Sequence, residues 1–330
     1  MSSLAPLYYR VDEPAVLQQL LDARTHDAAA FQAAFASLAG KARQGRGQPL
    51  RALRILAARQ TREMARALLG EEVLRRQASA STMVDYGRRV ATPCSLRGGH
   101  ATRYRVVAGD CLQVAVEMSR ARAPDAPRVA VLNMASARHP GGGYRNGAGA
   151  QEEYLFRTTS YMYALEDVDR MASERRWKYP IPPRGGIYSP DVTVLRGSEA
   201  DGYPLLAAPY TRVAMLAVAA IARPPTVQKR GKTILAPSAA NETRERIRAM
   251  LLLAHENGHD ALVLSAFGCG AYRNPPEDIA VLFRAVLVDE FPGVFADVTF
   301  AIFDDHNARG EGNVAPFQRV FADLVDDTDA

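Results

Sequence analysis

The sequence predicts a three-layer α/β/α protein, in which a mixed, mostly parallel sheet has helices on both faces and a helical region precedes it. From about residue 100, short apolar runs alternate with amphipathic segments whose apolar residues recur every three or four positions. The apolar runs are continuous, which is typical of strands that are buried on both faces. Residues 1 to about 90 show only the helical spacing.

The N-terminal region is predicted to be entirely helical. Gly40 and Gly70 are plausible helix ends, and residues 40–49 form a polar, glycine-bearing linker between two helical pieces. We therefore expect a helical accessory region at residues 1–95 and an α/β domain at residues 96–330. The helical segments are PAVLQQLLDA, AAAFQAAFASLAG and LRALRILAARQTREMARALLG.

The second part of the chain alternates strands and helices, which favours a sheet covered on both sides. Between Glu166 and Pro209 the proline-rich text PIPPRGGIYSPDV interrupts this alternation and predicts a long surface excursion. The predicted strands are YRVVAG, RVAVLNM, RVAMLAVAA, DALVLSAF and DVTFAIFD, and the predicted helices are DCLQVAVEMSRA, QEEYLFRTTSYMYAL, NETRERIRAMLLLAHEN and PEDIAVLFRAVLVDEF.

Composition excludes several classes of protein. No apolar run reaches the roughly 18 residues of a membrane helix, and the N-terminus lacks the pattern of a secretory signal. The three cysteines lie far apart, which argues against a disulfide framework or a cysteine zinc site. We expect a cytoplasmic monomer with no metal, no cofactor, no membrane contact and no sequence-specific contact with nucleic acid.

The formal net charge of +5 is unevenly placed. Between Lys41 and Arg105, fifteen basic residues stand against four acidic ones. Two interpretations stay open: a solvated arginine-rich helical face, or a face that attracts a polyanion. For the second, the candidate residues are Arg62, Arg66, Arg75 and Arg76.

Three motifs are weak. HENGH, from His255 to His259, has zinc-site spacing, but its Asn-Gly pair predicts a helix end between the two histidines. KRGKT, residues 229–233, resembles the end of a phosphate-binding loop, yet Thr226 stands where that motif needs glycine. Cys269 is either a nucleophile or a small residue in a tight loop, and we favour the small residue.

Two glycine-rich loops follow predicted strands and carry the strongest signal. HPGGG ends at Gly143 before a helix that begins near Gln151, and Gly268-Cys269-Gly270 precedes a helix near Pro276. Backbone N–H groups in such loops form anion-binding concavities. Because ligands of these sheets bind beyond the carboxyl ends of the strands, both loops predict one crevice that holds a diphosphate.

The three residues Gln151, Glu152 and Glu153 follow the first loop after a seven-residue bridge. Neighbouring residues on a helix point about 100° apart, so the two carboxylates should have different roles. One would orient a substrate hydroxyl, while the other would face the bond to be broken. Acidic residues also stabilise the first turn of a helix, which is the alternative interpretation.

The stretch GGG-x7-QEE, with LNMASARHP before it and LVLSAFGCGAYRNPPEDIA and VTFAIFDD after it, resembles the microbial-type poly(ADP-ribose) glycohydrolases over roughly residues 50 to 325. The resemblance implies a macrodomain, an ADP-ribose-binding α/β/α fold with a helical N-terminal region beside it. Residues 96–330 would then be a macrodomain-like catalytic domain. The first forty residues match nothing in that family, and AAIARPP lacks the asparagine that the family pattern favours after the central strand.

Carried over residue by residue, the resemblance implies that Glu153 is the general acid and base and that Glu152 positions the ribose hydroxyls. Asn133 would contact the distal ribose, Tyr272 would pack against the sugar, and Asp110 would hold the adenine amino group. The remaining residues implied to bind substrate are Gly141, Gly142, Gly143, Gln151, Gly268, Cys269, Gly270 and Ala271.

The implied reaction is hydrolysis of the ribose–ribose O-glycosidic bond of poly(ADP-ribose), which releases ADP-ribose and reverses ADP-ribosylation, as in the response to DNA damage. The partners would be the polymer or an ADP-ribosylated protein. A macrodomain that reads ADP-ribose without cleaving it and a hydrolase of mono-ADP-ribose remain alternatives. A nucleotide-binding oxidoreductase is disfavoured, because AGDCLQ stands where GxGxxG would follow the first strand.

Overall fold

A seven-stranded mixed sheet lies at the centre of the computed structural model, which describes residues 48–91, 96–304 and 307–325. Across the sheet the strands are Thr82–Asp85, Gly185–Thr193, Arg212–Val218, Ala130–Met134, Ala261–Leu264, Asp297–Ile302 and Arg103–Ala108, which in chain-order numbering gives the strand order β1-β4-β5-β3-β8-β9-β2. Strand β4 pairs antiparallel with both of its neighbours, and the other pairings are parallel. The predicted mixed, mostly parallel sheet is therefore confirmed.

The helices and strands follow one another in the order α1 (Gln48–Ala80), β1 (Thr82–Asp85), β2 (Arg103–Ala108), α2 (Cys111–Arg120), β3 (Ala130–Met134), α3 (Gln151–Thr158), β4 (Gly185–Thr193), β5 (Arg212–Val218), β6 (Thr226–Lys229), β7 (Lys232–Leu235), α4 (Pro237–Glu256), β8 (Ala261–Leu264), α5 (Pro276–Ala285), β9 (Asp297–Ile302) and α6 (Val314–Phe321).

Two hydrophobic cores lie on opposite faces of the sheet. Within β3, Val131 packs in the core formed with α1, α2 and α3, whereas Leu132 packs in the core formed with α4, α5 and α6. Side chains of successive strand residues point to opposite faces, so continuous apolar strands supply both cores. This arrangement gives the three layers that the sequence predicts.

The N-terminal part differs from its prediction in one place. Helix α1 is interrupted at Gly70, where φ is 77°, so the predicted helix end at Gly70 is seen as a kink. Thr82–Asp85, however, form strand β1, which pairs with β4 instead of continuing the helix. The two predicted helices before residue 40, most of the predicted linker and Cys94 lie outside the described residues, and the division into two domains at residue 95 stays a prediction.

The surface excursion predicted between Glu166 and Pro209 is wrong for its central part. Gly185–Thr193 form the nine-residue strand β4, which is buried between β1 and β5. Its sequence GGIYSPDVT conceals the strand, because glycine and proline are normally depleted in strands. Pro190 is accommodated at an irregularity in the register between Ser189 and Val192.

The predicted helix QEEYLFRTTSYMYAL is also shorter than expected. Helix α3 ends at Thr158, and Thr159 adopts an extended conformation and bridges to Val194. The hydroxyl groups of Thr158 and Thr159 donate back to carbonyls one turn earlier. Such bonds, together with β-branching, favour a break in the helix at this threonine pair.

None of the helices in the described part of the chain is long and apolar enough to span a membrane.

Candidate active site

The carboxyl ends of the parallel strands lie on one side of the sheet, where the sequence predicts a ligand-binding crevice. Loops that follow β2, β3, β8 and β9 meet there, because these four strands run in the same direction and are neighbours in the sheet. The loop after β3 carries the triple glycine, and the loop after β8 carries Gly268-Cys269-Gly270.

Gln151 fixes the start of α3 against β3. Its Oε1 accepts a hydrogen bond from Met134 N at 2.8 Å, and its Nε2 donates to Leu132 O at 2.6 Å. Both ends of the amide are thus engaged by the backbone of the strand. In this structure Gln151 positions the two acids that follow it, and its predicted contact with substrate stays a prediction.

Glu152 is almost fully buried and accepts three hydrogen bonds. Its Oε1 accepts from Asn133 Nδ2 at 3.3 Å and from Gly141 N at 3.1 Å, while its Oε2 accepts from Ser136 N at 2.7 Å. Burial raises the pKa of Glu152 to about 8, and the nearby Glu153 carboxylate acts in the same direction. The three N–H donors oppose this shift, because they favour the ionised carboxylate.

Asn133 lies behind Glu152 and is fully buried. Its Nδ2 contacts Glu152 and the hydroxyl of Tyr161, the latter at 3.4 Å. Here Asn133 acts through Glu152, and the direct contact with a distal ribose stays a prediction. Ser136 and Tyr161 were missed as site residues, although Ser136 stands inside the quoted motif LNMASARHP.

Glu153 has one engaged oxygen and one free oxygen. Its Oε1 accepts a hydrogen bond from Gly143 N at 2.8 Å. Its Oε2 is buried and has no hydrogen-bond partner among the described residues. A buried carboxyl oxygen without a hydrogen-bond partner requires an explanation, and a catalytic role is one of them.

The two carboxylates leave no room for a side chain at the centre of the triple glycine. A Cβ atom on Gly142 would lie 2.5 Å from Glu153 Oε1 and 3.1 Å from Glu152 Oε2, and its φ of 53° also favours glycine. The N–H group of Gly142 donates to His139 O, so the amides of all three glycines are engaged inside the protein. The loop therefore holds the acids, and its predicted contact with a diphosphate stays a prediction.

The bridge between the glycines and α3 packs tightly against α1. A Cβ atom on Gly147 would lie 2.1 Å from Arg51 O, and one on Gly149 would lie 2.2 Å from an Arg54 guanidinium nitrogen. The buried Arg157 donates to Ala148 O at 2.8 Å. The seven-residue bridge is thus clamped between α1 and α3, a role that sequence reasoning missed.

The loop after β8 carries three successive backbone N–H groups. The N–H groups of Gly270, Ala271 and Tyr272 have no hydrogen-bond acceptor among the described residues. Asn274, buried beside them, donates to Ile221 O and Gly268 O and so fixes the loop. Successive unpaired N–H groups in a turn form an anion-binding concavity, which is the predicted diphosphate site.

Two side chains of this loop take different positions. Tyr272 lies close to Ser136, and burial together with Glu152 and Glu153 raises the pKa of its hydroxyl. Tyr272 therefore stands beside the acids, as predicted for a residue that packs against the sugar. Cys269 is buried, and burial strongly raises the pKa of its thiol, so the nucleophile alternative is disfavoured.

A separate region of the crevice lies at the ends of β2 and β9. Asp110 follows β2 and caps α2, where its Oδ1 accepts from Leu112 N and Gln113 N at 2.8 and 2.9 Å. Phe303 follows β9, the strand paired with β2, and its side chain is 72% exposed. Sequence reasoning missed Phe303, because an aromatic residue after an apolar strand gives no signal of exposure.

The weak motifs have structural roles. Gly258, with φ of 75°, separates His255 from His259. The two ring nitrogens of His259 contact Arg128 O at 2.7 Å and the Tyr188 hydroxyl at 2.8 Å. Burial lowers the pKa of His259, which suits a structural imidazole. Residues 229–233 lie in the hairpin of β6 and β7 rather than in a phosphate-binding loop.

Comparison with known proteins decides the family. The family described as microbial-type PARG, catalytic domain, matches residues 54–197. The poly(ADP-ribose) glycohydrolase (PARG) of Thermomonospora curvata is 31% identical, with a TM-score of 0.64, and the match covers 81% of this chain and 99% of that one. The chain belongs to the microbial-type PARG family. It is therefore a glycohydrolase that acts on poly(ADP-ribose) glycosidic bonds.

Two further solved structures of PARG are similar. The Thermomonospora curvata enzyme bound to the inhibitor ADP-HPD is 30% identical, covers 81% of this chain and 98% of its own, and has a TM-score of 0.62. The Deinococcus radiodurans enzyme in complex with ADP-ribose is 27% identical, covers 76% and 97% respectively, and has a TM-score of 0.60. Among curated proteins no sequence matches this chain.

Proposed function

We propose that this PARG binds the terminal ADP-ribose unit of its polymer in the crevice and that Glu153 protonates the leaving ribose oxygen. The observation that carries this proposal is the buried, unpartnered Oε2 of Glu153, which stands beside a second carboxylate. Hydrolysis of a glycosidic bond passes through an oxocarbenium-like transition state, and the leaving oxygen needs a proton.

The hydrogen bonds around the two acids favour one position for a shared proton. Both oxygens of Glu152 and the Oε1 of Glu153 accept hydrogen bonds from N–H donors, and a protonated oxygen would be a weaker acceptor for these bonds. Oε2 of Glu153 is the remaining oxygen. A proton held there can pass to the leaving oxygen, and the resulting carboxylate can then take a proton from the attacking water.

Glu152 would hold the substrate sugar. A carboxylate has about four acceptor positions, and the protein fills three of them. The fourth can accept from one ribose hydroxyl and so place the anomeric carbon near Glu153. Water then adds to this carbon as the bond to the leaving oxygen breaks, which yields free ADP-ribose and a shortened polymer.

The rest of the ADP-ribose unit would lie along the crevice. The diphosphate would be held by the N–H groups of Gly270, Ala271 and Tyr272, which have no acceptor in the described part of the chain. The adenine ring would stack on Phe303, with its amino group directed to Asp110, because exposed aromatic rings are suitable platforms for bases. Binding energy from these remote groups would position the reacting carbon.

We also propose that this chain is a cytoplasmic, monomeric enzyme and that it removes ADP-ribose polymers after DNA damage. The support for this proposal is the family to which the chain belongs.

The test is ADP-ribose release from purified poly(ADP-ribose) by the wild type, by Glu153→Gln and by Glu245→Gln. Glu245 is a matched control, because it is equally buried but lies on α4 and pairs with Arg184 at 2.7 Å. Loss of a general acid lowers the rate by roughly 10² to 10⁴-fold. We expect that loss for Glu153→Gln alone, with binding of ADP-ribose retained.

Two results would contradict the proposal. If Glu153→Gln cleaved the polymer within ten-fold of the wild type, another group would be the acid. If the wild type bound ADP-ribose but released none from the polymer, the site would either bind ADP-ribose without cleaving it or hydrolyse mono-ADP-ribose attached to protein.

A further inference from the structure

An arginine-lined groove lies between α1 and the turn that follows the helical segment Met162–Glu166. Its volume is about 540 Å³, which is within the range of small-molecule sites. Four guanidinium groups and two carboxylates line it, so the charged lining has an excess of positive charge. The charged residues are Arg62, Arg66, Glu71, Arg75, Asp169 and Arg170.

The carboxylates of the groove orient arginines rather than cancel them. Asp169 is mostly buried and pairs with both Arg62 and Arg66, the latter at 3.3 Å. Arg75 and Glu71 pair at 2.8 Å, but both side chains are more than half exposed, so the pair is weak. The exposed faces of these guanidinium groups remain open to an anion.

The turn that carries Arg170 is held in a fixed conformation. Asp167 and Arg170 have φ of 58° and 55°, in the left-handed region that non-glycine residues rarely adopt. The carboxylate of Asp167 accepts from Met171 N at 2.6 Å and from Ala172 N at 3.0 Å. No described carboxylate forms an ion pair with the exposed Arg170, so its charge is available within a rigid turn.

The groove lies near the loop that follows the triple glycine. Tyr144, which follows the triple glycine, donates to Glu166 Oε2 at 2.6 Å, and Arg145 pairs with the same carboxylate. Arg62 lies close enough to Tyr144 to influence the pKa of its hydroxyl. Arg62 of the groove and Arg145 of the loop are also close enough for their charges to influence each other.

We propose that this groove is a second binding site of the enzyme, which takes a diphosphate of the polymer beyond the unit being cleaved. The proposal rests on the proposed function, since it needs poly(ADP-ribose) in the crevice. Each repeat of that polymer carries a charged diphosphate, and arginine binds phosphate oxygens through paired N–H groups. The groove thus distinguishes long polymer from a single ADP-ribose.

Sequence patterning placed Arg62, Arg66, Arg75 and Arg76 on one basic face. The structure separates them, because Arg76 is directed toward Asp191, at 4.0 Å, and does not line the groove. It also adds Arg170, which is distant in sequence. The set of arginines to be tested is therefore different from the one that helical spacing suggests.

The experiment compares two triple variants of the full chain in a Glu153→Gln background, which binds without cleaving. The groove variant is Arg66→Gln, Arg75→Gln and Arg170→Gln. The control variant, Arg88→Gln, Lys229→Gln and Arg230→Gln, removes the same charge from exposed positions outside the groove. Arg170 and Arg230 both have positive φ, so each variant contains one left-handed position.

Affinity for purified poly(ADP-ribose) and for ADP-ribose is measured at several salt concentrations. We expect the groove variant to bind the polymer on the order of ten-fold more weakly, since three exposed ion pairs contribute a few-fold each. For the groove variant, the slope of log Kd against the logarithm of the salt concentration should be smaller by about 2. Its affinity for ADP-ribose, and both affinities of the control variant, should change less than about two-fold.

Equal loss of polymer affinity in both variants would overturn the proposal, because net charge alone would then explain binding. Loss of affinity for ADP-ribose as well would also overturn it, since the arginines would act on the cleaved unit. ADP-ribose release by the chain without substitutions is scored separately, so failure of the proposed function is distinguished from failure of the groove.

Discussion

Gly142→Ala should displace the carboxylate of Glu153 while lowering the stability of the fold only slightly. The new Cβ would lie 2.5 Å from Glu153 Oε1, whereas ordinary contacts begin at 3.4 Å. The carboxylate must therefore move by about 1 Å, and a displacement of that size typically lowers the rate by about 10²-fold. Alanine at φ of 53° adds roughly 1 kcal/mol of backbone strain.

A matched control is Gly231→Ala. Gly231 has φ of 77°, and no atom lies within 4 Å of a Cβ built there, so this variant carries the backbone strain alone. Both variants should lose about 1 kcal/mol of unfolding free energy, which lowers Tm by about 2 °C in a chain of this size. Only Gly142→Ala should also lose catalysis.

The assay is kcat/KM for ADP-ribose release, with thermal unfolding measured in parallel. A rate for Gly142→Ala within about three-fold of the Gly231→Ala rate would refute the reasoning, because the catalytic acid would then tolerate a displacement of about 1 Å. A comparable loss of rate in Gly231→Ala would show that backbone strain, rather than the displaced carboxylate, governs activity.

Three further outcomes follow from the site. The raised pKa of Glu152 means that the folded acid pair retains a proton that the unfolded chain loses. The free energy of unfolding should therefore fall as pH rises from about 5 to 8. Glu152→Gln should flatten this pH dependence in thermal melts, and an unchanged pH dependence would exclude the shared proton. Phe303→Ala should weaken ADP-ribose binding by roughly ten-fold or more without lowering Tm, because the ring is exposed, and titration calorimetry with Phe303→Tyr as control checks this. Cys269→Ser should retain most activity, and inactivation by a thiol-alkylating reagent of the wild type but not of Cys269→Ser would contradict a buried, protonated thiol.

The fold could be predicted for the strands whose burial on both faces gives a continuous apolar run in the sequence. The apolar runs of β3, β5, β8 and β9 are continuous, because both faces of the sheet are covered. Strand β4 was hidden by its glycines and by Pro190, which are tolerated at the irregular register beside β5. Pairing across the sheet, rather than local propensity, makes that segment a strand.

Sequence reasoning named Glu152, Glu153 and the triple glycine as candidates, and the structure brings these residues together through contacts that the sequence did not predict. Spacing placed Glu152 and Glu153 after a glycine loop, but it could not show that the amides of Gly141 and Gly143 are donors to these acids. Nor could it place Arg157 beneath the bridge, since an arginine in a helix is usually exposed. Such contacts depend on tertiary packing, which single-sequence patterns do not report.

The hydrogen bonds that hold the acids connect residues that are close along the chain. Their sequence separations are 10, 11, 16 and 19 positions for the donors Gly143, Gly141, Ser136 and Asn133. Closing such short loops loses little chain entropy, so this constellation can form as soon as α3 docks on β3. One strand, one loop and one helix thus constitute a nearly self-contained catalytic cassette. Segments outside this cassette can therefore vary in sequence without removing the donors that hold the two acids.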